Sequence, residues 1–137
     1  VRPTEDIWIT PLLPSKIGPS DYQGEGGISG NEQEVVAMFV DLRGFSSFAE
    51  DRLPYDVVLI LNQFFGHMSA ALASTRGHYA QFTGDGLFAL FGLKGGIQQA
   101  CRDALSSAVE MQCRMENLNQ AVCRELNAQL RICIGIH

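Results

Sequence analysis

Basic runs are missing from this 137-residue chain: its ten Lys and Arg are scattered among fifteen Asp and Glu, for a net charge of −5. Proteins that wrap nucleic acid need basic stripes to neutralise phosphates, so that class is excluded, as is a polybasic membrane anchor. Long apolar runs are missing too. No stretch reads as long enough to span a bilayer, and the N-terminus lacks the charged-then-apolar pattern of a signal peptide. No membrane contact is expected from this segment. The four cysteines, Cys101, Cys113, Cys123 and Cys133, form no CxxC pair and have no His at ligand spacing, which speaks against zinc. Reduced thiols, mostly packed as small apolar groups in a cytoplasmic domain, are expected, with membrane tethering of a full-length protein left open. An initiator Met is also lacking, so the chain is expected to be cut from a longer one.

Hydrophobic residues, at 46%, are sufficient for one core, and the length fits one compact domain. Residues 1–33 stand apart. They hold Pro3, Pro11, Pro14 and Pro19 and a glycine-rich stretch from Gly18 to Gly30, and they read as an extended linker. Ile7, Trp8, Ile9, Leu12 and Leu13 are apolar exceptions within it. The domain is expected over 34–137.

Val35-Val36-Ala37-Met38-Phe39-Val40 is too short for a helix, and its β-branched and aromatic content predicts a buried strand ending at Asp41. A short helix to about Glu50 follows. Pro54 opens a longer one, with Val57, Val58, Leu61, Phe64, Phe65, Met68 and Leu72 on its apolar face. His78 to Thr83 reads as a strand, Gly84-Asp85-Gly86 as a turn, and Leu87 to Phe91 as the return strand. A second long helix has Ile97, Ala100, Ala104, Leu105, Ala108, Met111, Met115 and Leu118 inward and extends to about Leu126. Leu130 to Ile136 alternates as a last strand.

This order is the βαββαβ pattern of an α+β, ferredoxin-like sandwich. In that fold the first and third strands are antiparallel neighbours, so Asp41 and Asp85 should face each other. Two converging carboxylates repel, one of them acquires a raised pKa, and a divalent cation with a taste for oxygen relieves both. A pair of such cations suits in-line displacement at phosphorus. Asp41 as a helix cap and Asp85 as a plain turn residue remains the competing reading. After Asp41, Gly44 permits close backbone approach, the following helix start offers free N–H groups, and Ser46 adds a hydroxyl.

Phe39-Val40-Asp41-Leu42-Arg43-Gly44-Phe45-Ser46 resembles the F-x-D-[IL]-x-G-F-[ST] motif of class III adenylyl and guanylyl cyclases. Gln81 to Gly92 resembles their second metal motif, K-x-x-G-D-G-[LM]-x-A-x-[FY]-G, and Arg131 to His137 the strand that follows. The likeness covers about residues 34–137 and is nearest the bacterial adenylate cyclase type. It implies a class III cyclase core truncated at its C-terminal part, turning ATP into 3′,5′-cyclic AMP and pyrophosphate. It implies two divalent cations, Mg or Mn, on Asp41, Asp85 and the Leu42 carbonyl. Gly44, Phe45 and Ser46 would then hold the β- and γ-phosphates, and activity would need a homodimer.

Two departures bear on function. Where adenylyl cyclases carry Lys and guanylyl cyclases Glu, this chain has Gln81, whose amide both donates and accepts, so GTP stays open beside ATP. The family's later motifs, which supply an Asn and an Arg to the transition state from the partner subunit, lie beyond His137. The chain alone is therefore expected to be inactive. Rival readings are a catalytically dead cyclase-like module that binds nucleotide or dimerises, another two-metal palm enzyme, and a protein-binding module with structural aspartates. The Thr83-Gly84-Asp85-Gly86 hairpin departs from the GG[DE]EF of diguanylate cyclases.

Overall fold

A computed structural model of the chain describes residues 32–137. Except for its last two positions, the linker expected over 1–33 lies outside them. Glu34–His137 forms one compact unit. Its elements are β1 (Val36–Arg43), α1 (Phe45–Glu50), α2 (Pro54–Ser74), β2 (His78–Thr83), β3 (Gly86–Phe91), α3 (Ile97–Leu126) and β4 (Arg131–Ile136). The sheet order is β2-β3-β1-β4, with every neighbouring pair antiparallel. This is the α+β, ferredoxin-like order expected from the sequence.

Strand β1 shows how the sheet sorts its faces. Successive side chains of a strand point to opposite sides. Val36, Met38, Val40 and Leu42 are buried in the core, whereas Ala37, Phe39, Asp41 and Arg43 alternate with them on the other face. Leu87, Ala89 and Phe91 of β3 join the same core, and both long helices cover it through Phe64, Met68, Ala104, Met111 and Leu118. Among the described residues the sheet therefore keeps one helix-free face, and Asp41 is on it.

Several details differ from the sequence reading. Strand β1 does not stop at Asp41 but continues to Arg43, because Leu42 and Arg43 pair with Ile132 and Arg131 of β4. Helix phases are also shifted. Val58 and Leu105, expected inside, are 55% and 62% exposed, while Ile60 is buried. Cys101, Cys113 and Cys133, expected to pack as small apolar groups, are exposed free thiols. They lie outside the packed stripe of α3 and off the core face of β4.

The absence of a span-length apolar stretch is corrected as well. Helix α2 is long and apolar enough to cross a membrane by length and composition alone. Asp56 is the one Asp, Glu, Lys or Arg in it. Core helices pass the same test, and Ile60, Phe64, Met68, Ala71 and Leu72 of α2 are buried against the sheet and α3.

Candidate active site

The two aspartates reach one end of the sheet by different routes. Asp41 stands within β1, one of the two inner strands, opposite Gly86 of β3 and Cys133 of β4. Asp85 occupies the two-residue turn between β2 and β3, whose flanking pair is Thr83 and Gly86. Gly84 supplies the left-handed backbone that the turn needs, at φ 66°. A main-chain hydrogen bond locks the two segments together: the Leu42 N–H donates to the Asp85 carbonyl at 3.1 Å.

Gly86 makes this approach possible. A Cβ there would stand 2.6 Å from the Val40 carbonyl oxygen and 3.3 Å from Asp41 Oδ1. The Asp41 carboxylate therefore leans over a residue with no side chain. Its carboxyl is held above the ordinary value of 3.8, first by partial burial, then by the negative charge of Asp85 and a side-chain hydrogen bond with it, while Arg43 pulls in the other direction. Two carboxylates drawn together this way concentrate negative charge, which a divalent cation would neutralise. Among the described residues no group of three or more His, Cys, Asp or Glu converges. A pair of carboxylates completed by backbone, water and phosphate oxygens suits Mg²⁺ better than an all-protein cage metal.

Beyond Asp41 the chain turns at Gly44, with φ 67° and no neighbour within 4 Å of where a Cβ would be. Glycine is thus demanded by backbone conformation rather than by space. Helix α1 then begins without a side-chain cap, so the N–H groups of its first turn, from Phe45 onward, have no intrahelical acceptor. Phe45 is buried and stacks on Phe48 at 5.7 Å between ring centroids. Ser46 is exposed beside it.

Gln81 lies elsewhere on the sheet. It pairs in register with Phe88 of β3, which in turn pairs with Phe39 of β1. The rings of Phe39 and Phe88 are 4.8 Å apart. Gln81 Oε1 is buried and has no hydrogen-bond partner among the described residues. An enclosed acceptor without a donor is costly and calls for one from outside. Sequence reasoning overlooked the Phe39–Phe88 pair and the need for Gly86. The first was visible in the period-two alternation of β1 and β3, since Phe39 and Asp41 share a face.

The sequence profile of the adenylate and guanylate cyclase catalytic domain matches residues 29–137. The chain belongs to this family. Adenylate cyclase 1 of Rhizobium meliloti (strain 1021) is 32% identical over 112 residues, covering 82% of this chain and 17% of that protein. The crystal structure of the guanylyl cyclase Cya2 superposes with a TM-score of 0.73 at 35% identity, covering 80% of this chain and 55% of that one. The adenylyl cyclase CyaB from P. aeruginosa gives 0.71 at 26%, covering 74% and 54%. This cyclase-family chain thus spans about half of each of these two solved cyclase chains.

Proposed function

We propose that this domain is the metal- and phosphate-binding half of an enzyme that converts ATP to 3′,5′-cyclic AMP and pyrophosphate. The convergence of Asp41 and Asp85, with the Asp41 carboxyl held above its ordinary value, carries the reading. Asp41, Asp85 and the Leu42 carbonyl would hold two divalent cations, Mg or Mn, which supply Lewis acidity to the ribose 3′-hydroxyl and neutralise the triphosphate. The 3′-oxygen attacks the α-phosphorus, the bond to the β-phosphate oxygen breaks, and the hydroxyl proton leaves with solvent. Gly44, Phe45 and Ser46 cradle the β- and γ-phosphates through the first turn of α1. Gln81 stands roughly 12 Å from Asp41 by strand geometry, two strands across and two residues along, a span suited to a purine at one end and phosphates at the other.

The unpartnered Gln81 acceptor supports base reading there. It suits the exocyclic amine of adenine. The N1–H of guanine is the second donor it could take, so GTP turnover is the alternative outcome. The transition-state charge needs donors that approach from a second subunit, so a homodimer of the whole protein is the active form and the 137-residue chain alone gives no turnover.

The test is cyclase activity of the full-length protein with ATP and with GTP in Mn²⁺, beside Asp41→Ala and Asp85→Ala. Both variants should lose at least a hundredfold in kcat/KM, on the order of 3 kcal/mol of transition-state stabilisation. Wild-type rates in both would refute the assignment. Nucleotide binding with no product from the full-length protein would favour a binding module, a reading to which Gln81 lends support. Gln81→Lys should narrow use to ATP and Gln81→Glu to GTP.

A further inference from the structure

Two arginines stand side by side just beyond the aspartates. Ala37 and His137 exchange both of their main-chain hydrogen bonds, at 2.8 and 2.9 Å. Pairs of that kind recur at every second residue along antiparallel neighbours. Followed along the register of β1 and β4, the next include Asp41 with Cys133 and Arg43 with Arg131. Arg43 and Arg131 therefore lie directly opposite each other, with Cα atoms about 5.5 Å apart. Arg43 is on the helix-free face with Asp41. Arg131 shares that face, because directly paired residues project to one side and Ile132 and Ile134 pack on the core from the other. Both arginines are exposed.

The ion pairs among the described residues are Arg76 with Asp103 and Arg114 with Glu110, so neither arginine takes part in one. Like charges directly opposite each other destabilise a sheet, and a guanidinium does not shed its proton. An anion between the two turns repulsion into attraction. The charge balance indicates which anion. Asp41, Asp85, Arg43 and Arg131 together carry no net charge. Two divalent cations on the aspartates add four positive charges, and a nucleoside triphosphate supplies as many negative ones. Without the arginines the loaded site would be left with two net negative charges. Placement agrees. The pair is two residues past Asp41, about 7 Å along the strand, where the outer phosphate arrives when the inner ones sit on the cations. The charge of Arg43 already reaches the Asp41 carboxyl.

We propose that Arg43 and Arg131 form a clamp for the γ-phosphate of the nucleotide. The identity of the anion rests on the cyclase reading, whereas the pairing of the two arginines does not. Planar guanidinium forks take phosphate oxygens two at a time. The γ-phosphate keeps its charge while the α-phosphorus is attacked, so the clamp acts on binding and not on the chemical step. The same forks then hold the pyrophosphate product. Arg43 falls at a position that the F-x-D-[IL]-x-G-F-[ST] motif leaves open.

The experiment has two arms, both on the full-length protein. In the first, Asp41→Asn with Asp85→Asn removes the carboxylates and EDTA removes metal. Calorimetric titration with inorganic pyrophosphate at low ionic strength then reads the arginines alone. Adding Arg43→Gln or Arg131→Gln should weaken binding by about tenfold or more, without lowering the melting temperature. Adding Arg102→Gln, at an exposed arginine of α3, should leave binding unchanged. In the second arm the aspartates are intact. Arg43→Gln and Arg131→Gln should each raise KM for ATP, and the inhibition constant for pyrophosphate, by about tenfold, with kcat within about threefold of wild type. No pyrophosphate binding in the first arm, binding unchanged by both substitutions or weakened equally by Arg102→Gln, or an unchanged KM would each overturn the clamp. A wild type that forms no product would count against the cyclase reading alone, since the first arm needs neither metal nor turnover.

Discussion

Replacing Gly86 with alanine adds one carbon to the middle of the site. That carbon would stand 2.6 Å from the Val40 carbonyl oxygen, 3.1 Å from Thr83 Oγ1 and 3.3 Å from Asp41 Oδ1. The nearest of these is backbone in the central strand, and it cannot turn aside as a flexible side chain could. The strands must part at the point where Asp41 pairs with Gly86. Overpacking of this kind costs about 1–3 kcal/mol. For a domain of this size, a shift of about 4–8 °C in Tm per kcal/mol follows, so melting should fall by about 5–20 °C. Mn²⁺ affinity should fall with it, because the same movement carries the Asp41 carboxylate away from the hairpin. Thermal melts with and without Mn²⁺ measure both effects. Gly84→Ala is the control: its φ of 66° makes alanine strained by about 1–2 kcal/mol, yet its Cβ would meet nothing within 4 Å. If Gly86→Ala melted within 2 °C of wild type and bound Mn²⁺ equally well, the close approach of β1 and β3 at the site would be refuted.

Asp85→Asn should let Asp41 titrate closer to its ordinary value without restoring it fully, because burial is the larger cause of the shift. A carboxyl raised in the folded state gives stability that is full below the unfolded value, here 3.8, and is lost as pH rises through the folded value. In metal-free protein that loss should shrink in Asp85→Asn. Carbon-detected NMR titration of Asp41 reads the shift directly, and an unmoved titration would exclude Asp85 as a cause. Asn119→Ala should destabilise by about 2 kcal/mol, seen as a lower urea midpoint. The Asn119 amide donates to the Leu130 carbonyl at 2.8 Å and accepts from the Leu130 N–H at 2.7 Å, holding the chain just before β4. Asn119→Asp, which keeps only the accepting half, should lose less.

The fold was legible because its signals were local and agreed with one another. The β-branched run before Asp41, the Asp-Gly turn at Asp85 and the two helical stripes each specify an element, and one topology accommodates them all. The aspartate pair was legible through that topology, which makes β1 and β3 neighbours. What escaped depended on partners distant in sequence. Strand β1 runs to Arg43 only because Arg131 lies beside it. Leu105 and Val58 are apolar and sit within apolar-rich helices, so periodicity alone placed them inside, yet they are 62% and 55% exposed. The core is filled by other positions of the same helices, Met111 and Ile60 among them. The Asn119 bond to Leu130 has no signature in composition.

Strand β1 is flanked by strands on both edges, whereas Asp85 stands in a two-residue turn at the tip of a hairpin whose other strand is an edge. Amides in a strand of the first kind exchange with solvent only when the whole domain opens, and those in a turn of the second kind exchange through small local excursions. The site therefore joins the most durable part of the molecule to one of its most labile. A ligand that bridges Asp41 and Asp85 borrows the durability of the first and confers it on the second. Its arrival should be written in the hydrogen-exchange record of residues 83–86 long before it is visible in that of 38–42.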